Sequence, residues 1–142
     1  MESFSIKSAS GAGSLEFFDR IPTFPHLPIE RFWVRITDLN FSAAAEVYSG
    51  YADGHPAPLF VQMGECWRGW PGELHWVSLE GEMGLHCTQD RTGHVSIRDE
   101  LHSGPMEDDW SAEATVMTEA GQLEEISRRA VAFFGQRARR FL

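Results

Sequence analysis

The sequence predicts an α+β domain: a twisted antiparallel sheet of six or seven strands with a mid-chain helix and a C-terminal helix packed on it. Three observations predict it. Apolar and polar residues alternate in repeated short stretches, the period of a strand with one face on a core. The connections between those stretches are short, which favours antiparallel neighbours. Two segments, residues 57–68 and the stretch after 119, change to helical spacing; an amphipathic helix must bury its stripe, and the sheet's apolar face is available for it.

In order, Phe4 and Ile6 alternate with polar neighbours, Ser10-Gly11-Ala12-Gly13 reads as a turn, and residues 14–20 return as a second strand. Pro22, Pro25 and Pro28 then block helix and central strand alike, so residues 21–30 are a crossing loop. Phe32, Val34 and Ile36 share one face, as do Phe41, Ala43, Ala45 and Val47, with Asp38-Leu39-Asn40 as the tight turn between them. Ala43 and Ala45 leave room for something large, and the helix over 57–68 is the expected occupant. That helix has Pro58 in its first turn and is ended by Gly69 and Pro71. Leu79, Gly81, Met83, Leu85 and Cys87 alternate with Glu80, Glu82, Gly84, His86 and Thr88; residues 89–93 turn, and Val95, Ile97 and Leu101 resume the pattern as a central hairpin. Residues 102–109 form an acidic loop, 110–118 a last strand, and Leu123, Ile126, Ala130, Phe133 and Phe134 one face of the closing helix. Glu124 and Glu125 lie early in it and Arg128, Arg129, Arg137, Arg139 and Arg140 late, the order a helix dipole prefers.

With 142 residues, one domain over 1–142 is expected, since two would each be too small for a good core. No apolar run approaches the roughly 18 residues of a membrane helix, and the N-terminus lacks the apolar stretch of a secretory signal. A cytoplasmic location is expected. Cys66 and Cys87 have no metal-binding or redox spacing and read as small core fillers. Net charge is −9, with 21 acidic against 12 basic residues. That balance argues against nucleic acid, which needs a basic face, and suits a basic protein partner.

No catalytic, cofactor-binding or metal site is expected from motifs: there is no phosphate loop, dinucleotide fingerprint, HExxH or GxSxG elbow. His86 and His94 on the central hairpin are a conceivable metal pair if Thr88 pairs with His94, because same-face diagonal neighbours then lie roughly 7–8 Å apart. Asp90 and His94 flank the turn and can form a pair; the structural alternative has Asp90 capping the turn, Gly93 supplying a left-handed residue and His94 starting the strand. Glu80 and Glu82 read as carboxylates on an outward strand face. Trp67, Trp70 and Trp76 are either core or interface, since Trp is enriched in binding hot spots.

The run Trp67-Arg68-Gly69-Trp70-x-Gly72-Glu73-Leu74-x-Trp76-x-Ser78-Leu79-Glu80-Gly81-Glu82, then Asp90-x-x-Gly93-His94-Val95, then Ala120-Gly121-Gln122-Leu123-Glu124, resembles a bacterial family of small proteins carried as a domain of unknown function. The resemblance covers residues 31–136 and leaves the N-terminal hairpin and proline loop of 1–30 outside. Some relatives are described as immunity proteins against a cell-wall-associated toxin (the WapI type), and the resemblance implies no catalytic residues.

The expected function is therefore a non-catalytic protein-binding module, an immunity protein covering a bacterial toxin domain. Its expected contacts are Trp67, Trp70, Glu80, Glu82, Asp90, His94, Glu107, Asp108 and Asp109. The alternative is a small hydrolase or metal-dependent enzyme using His86, His94, Asp90 and Glu80. A homodimer through an edge strand or the Trp patch is a third expectation.

Overall fold

The computed structural model describes residues 2–24, 26–50 and 54–135. Arg137, Arg139 and Arg140 lie outside them. The N-terminal half forms a meander of four strands, β1 (Ser3–Lys7), β2 (Ser14–Ile21), β3 (Arg31–Asp38) and β4 (Phe41–Tyr48), each hydrogen-bonded to the next. Helix α1 (Ala57–Glu65) follows, and then a second meander, β5 (Leu74–Val77), β6 (Met83–Gln89), β7 (His94–His102) and β8 (Ser111–Glu119). A 3-10 turn at Ala120–Gln122 leads into α2 (Leu123–Phe134).

The expected single sheet of six or seven strands is thus two antiparallel sheets of four, eight strands with two helices, and the chain is mostly β. The physical reason lies in what covers each face. Phe4, Ile6, Phe17, Phe32, Val34 and Val47 of the first sheet enter the same core as Met83, Leu85, Val95, Ile97 and Val116 of the second. The helices share that core, with Phe60 and Phe134 against Phe17. Ala43 and Ala45 are not the main floor for α1, which packs chiefly on α2, while β4 comes close to β7. Gly64 makes that helix crossing tight, since a Cβ on it would meet the Ser127 Cβ at 3.1 Å and the Leu123 carbonyl at 3.3 Å.

The expected long strand from Leu79 is also two elements. Residues 78–82, after β5, form a turn in which the Met83 carbonyl accepts the Ser78 N–H at 2.9 Å, and the strand itself, β6, begins at Met83. Gly81 supplies a φ of 82° there, so Leu79 lands on the surface, 68% exposed. The other expected turns stand. Asn40 takes a φ of 59° between β3 and β4, and all five apolar residues expected on the inner face of α2 are buried.

One break in alternation organises the N-terminal half. β2 buries Leu15 and Phe17, so strict alternation would turn Asp19 inward. The ladder instead shifts between Phe18 and Ile21, with Asp19 at a φ of 51°. This is a bulge, and it reverses the parity beyond it. Arg20 turns in and is 5% exposed. Its guanidinium donates to the carbonyls of Phe133 (2.9 Å), Phe134 (3.1 Å), Phe24 (3.0 Å), Leu27 (2.6 Å) and Pro22. The last carbonyls of α2 lack helical partners, and a cation at that end also suits the dipole. Arg20 thus ties the proline loop and the end of α2 to β2. Burial lowers its pKa from the usual arginine value, and the five carbonyls compensate the buried charge.

Candidate functional site

The register of the second sheet divides the expected contact residues into two groups. Met83 faces Leu101, His102 faces Ser111, and the Glu82 carbonyl accepts the His102 N–H at 2.8 Å. The β5–β6 turn and the β7–β8 loop therefore project from the same end of the sheet, carrying Glu80, Glu82, Glu107, Asp108 and Asp109. Trp67, Asp90 and His94 lie at the other end, where the Trp67 carbonyl accepts from the Gln89 side chain at 3.1 Å. The nine-residue β7 separates the two ends by roughly 27 Å. Trp70 belongs to neither: it is buried in the core, and its indole N–H donates to the Cys87 carbonyl at 3.0 Å.

At the first end the carboxylates do different jobs. Glu82 accepts the Ser78 O–H at 2.7 Å and the Tyr48 N–H at 3.1 Å, so it joins the β5–β6 turn to the edge of the first sheet. Asp109 accepts the Met106 N–H at 2.8 Å and braces its own loop. Glu80, Glu107 and Asp108 are exposed. Among the described residues none of these three makes an ion pair or a side-chain hydrogen bond. Beside them stand apolar groups left in water: Leu79 at 68%, Met106 at 67% and Trp110 at 45% exposed. A cleft of about 430 Å³ runs from this end onto the first sheet, lined by Arg31, Glu46, Tyr48, Glu80 and Glu82.

The other end is a turn motif. Asp90 accepts from the Thr92 N–H (2.9 Å), the Thr92 O–H (2.8 Å) and the His94 N–H (2.9 Å). The His94 backbone bond and the Thr92 hydroxyl hold its pKa down, to about 2. Gly93 takes a φ of 87°. The Asp90–His94 pair does form, at 3.2 Å, but it does not make a relay. Thr92 Oγ1, at 2.7 Å, and the Asp90 carboxylate meet the same ring nitrogen, Nδ1. A catalytic triad needs carboxylate and nucleophile on opposite nitrogens.

The outer face of the second sheet carries a network that the sequence reading did not assemble. His86 lies between Glu73 (Nδ1, 3.2 Å) and Glu100 (Nε2, 3.3 Å), and its ring stacks on that of His75. Arg98 joins Glu113 at 2.8 Å, Glu100 at 3.6 Å and Glu73 at 3.7 Å. The outward parity of His86, Arg98 and Glu100 was the available signal; which strands would be neighbours was not. Thr88 pairs with Ser96, not with His94, and His86 pairs with Arg98. That two-residue difference removes the same-face diagonal expected for His86 and His94. Among the described residues no three His, Cys, Asp or Glu side chains are placed to hold a metal ion. Nor is any Ser, Thr or Cys side chain hydrogen-bonded to His86.

One titratable group faces inward. Asp99 has the parity of Val95, Ile97 and Leu101, is 0% exposed, and has no hydrogen-bond partner for either carboxyl oxygen. Burial raises its pKa well above the usual carboxylate value. Burial, the Asp99 carboxyl and Glu73 likewise raise that of Cys87, so its sulfur stays a thiol.

A family model covers residues 6–137, nearly the whole chain and all of the geometry above. The chain belongs to DUF6228, a family of unknown function. Neither a curated protein nor a solved structure matches it. Family membership therefore brings no assigned site, and the two loops at the Glu82 end lie inside the matched region. No helix among the described residues is long and apolar enough to cross a membrane.

Proposed function

We propose that this protein is a non-catalytic protein-binding module of the immunity kind, which neutralises a bacterial toxin domain by covering it. The observation that carries the reading is the division of labour among the polar groups. Glu82, Asp109 and Asp90 hold turns, and His86 is enclosed by carboxylates on an open sheet face. The groups left unengaged, Glu80, Glu107 and Asp108, stand on projecting loops beside exposed apolar side chains. A reaction needs a nucleophile, its base and a place for substrate within hydrogen-bond reach of one another. Recognition of a protein needs apolar anchors with complementary charge around them.

The test is co-expression with the product of the neighbouring gene, followed by purification and titration calorimetry. Stable binding at micromolar concentration or tighter, together with suppression of that product's toxicity, supports the reading. Failure to bind at that concentration removes it. Substrate turnover by the pure protein that is lost in His86→Ala without loss of folding would replace it with an enzyme.

A further inference from the structure

We infer that the docking face is the end of the second sheet formed by the β5–β6 turn and the β7–β8 loop, and that its occupant is a basic protein surface with an apolar centre. The inference rests on the protein-binding reading above and adds the face and the chemistry of the partner.

Two independent features coincide at this end. The first is exposed apolar surface. Leu79 and Met106 are two-thirds exposed and Trp110 nearly half. The hydrogen bond from His102 N–H to the Glu82 carbonyl fixes the turn and the loop side by side. Their centres are about two strand spacings, or roughly 10 Å, apart, so all three residues stand at one end of the sheet. The second feature is charge of one sign. Glu80 follows Leu79 in the turn and Glu107 and Asp108 follow Met106 in the loop, and among the described residues no cation pairs with them.

The far end of the sheet lacks this combination. Asp90 and Glu119 there both approach His94 (3.2 and 3.7 Å), and the guanidinium of Arg68 lies over the Trp67 ring at 5.0 Å. Asp90, Glu119 and Arg68 there are engaged within the chain.

The chemistry of the occupant follows from complementarity. An apolar centre desolvated by Leu79, Met106 and Trp110 supplies affinity; Lys or Arg around it meets carboxylates that make no ion pair among the described residues, the Arg31 of the adjoining cleft being paired with Glu30 and Glu46. A nucleic acid would be repelled by a net charge of −9 and by these three groups in particular. The face is held for rigid docking. Glu82 anchors the turn through Ser78 and Tyr48, and Asp109 with the Ser103 hydroxyl braces the loop. Little ordering is left to be done on binding.

The probe is a synthetic amphipathic peptide with Lys on one side and Leu on the other, titrated by fluorescence anisotropy at low salt. The expected result is saturable binding that weakens at least tenfold in Glu80→Lys/Glu107→Lys/Asp108→Lys and several-fold in Leu79→Ser/Met106→Ser. Glu119→Lys at the far end should change it less than twofold. Near-UV dichroism and an unchanged melting midpoint check that the surface variants fold. Equal loss at both ends, or no saturable binding, overturns the assignment. The same variants are then titrated against the neighbouring gene's product. If that product binds and ignores the substitutions, the protein-binding reading stands and this face is wrong. If it does not bind at all, the reading itself falls.

Discussion

A carboxyl group on the inner face of β7 makes stability depend on pH in a direction opposite to that of most carboxylates. Asp99 is fully buried, Leu85 and Ala114 are its ladder neighbours, and neither oxygen has a partner. Its pKa in the folded protein is raised by burial, while in the unfolded chain it returns to about 3.9. The folded state therefore holds a proton that the unfolded state releases. The stability is fully present below the unfolded value and is lost as pH rises toward the folded one. Within that window each pH unit removes about 1.36 kcal/mol. Asp99→Asn keeps the shape and removes the titration. Urea unfolding of both proteins from pH 4 upward, with the histidines common to both, should give a difference that grows in favour of the variant as pH rises, by no more than about 1.4 kcal/mol per pH unit. A flat difference would refute the reasoning. It would mean that Asp99 has a charged partner or water beside it in the folded protein.

Three further outcomes follow from single contacts. Arg20→Ala should destabilise by about 3–5 kcal/mol, because it leaves several buried carbonyls without a donor, whereas Arg20→Lys should recover only part of this for want of the planar fork; denaturant midpoints measure both. Asp90→Asn should remove stability that is present above the usual carboxylate value and is lost as pH falls toward about 2. Its melting curve should thus differ from that of the parent at neutral pH and converge with it in strong acid. Thiol alkylation of the folded protein at pH 8 should modify Cys66, which is half-buried, and spare Cys87, which is buried and held as a thiol, with both reacting in urea.

Much of the local structure was legible in the chain. The Asp38–Asn40 hairpin, the Pro58 start of α1, the Asp90–Gly93 turn and the inner face of α2 depend on atoms a few residues apart, and each stands where the pattern put it. Leu79 shows where alternation misleads: its phase matches Met83 and Leu85, but Gly81 breaks the strand between them. Asp99 shows the reverse. Its phase with Ile97 and Leu101 marks it as inward, and only its charge suggests otherwise. The candidate face was half legible, since the acidic residues were identifiable, but which of them would be engaged was not. Glu82 and Glu80 are two residues apart, and of the two it is Glu82 that reaches the Ser78 hydroxyl and, on the other sheet, the Tyr48 backbone N–H.

The sequence by itself determined most of the residues that turn inward, Leu79 and Arg20 excepted, because that choice is set by the spacing of apolar side chains over one or two turns of chain. Only the tertiary structure decided that eight strands divide into two sheets, that a bulge brings Arg20 to the end of α2, and that two loops far apart in sequence share one rim. Those outcomes depend on covering every apolar face and pairing every buried polar group at once, a condition on the whole chain that no local window contains.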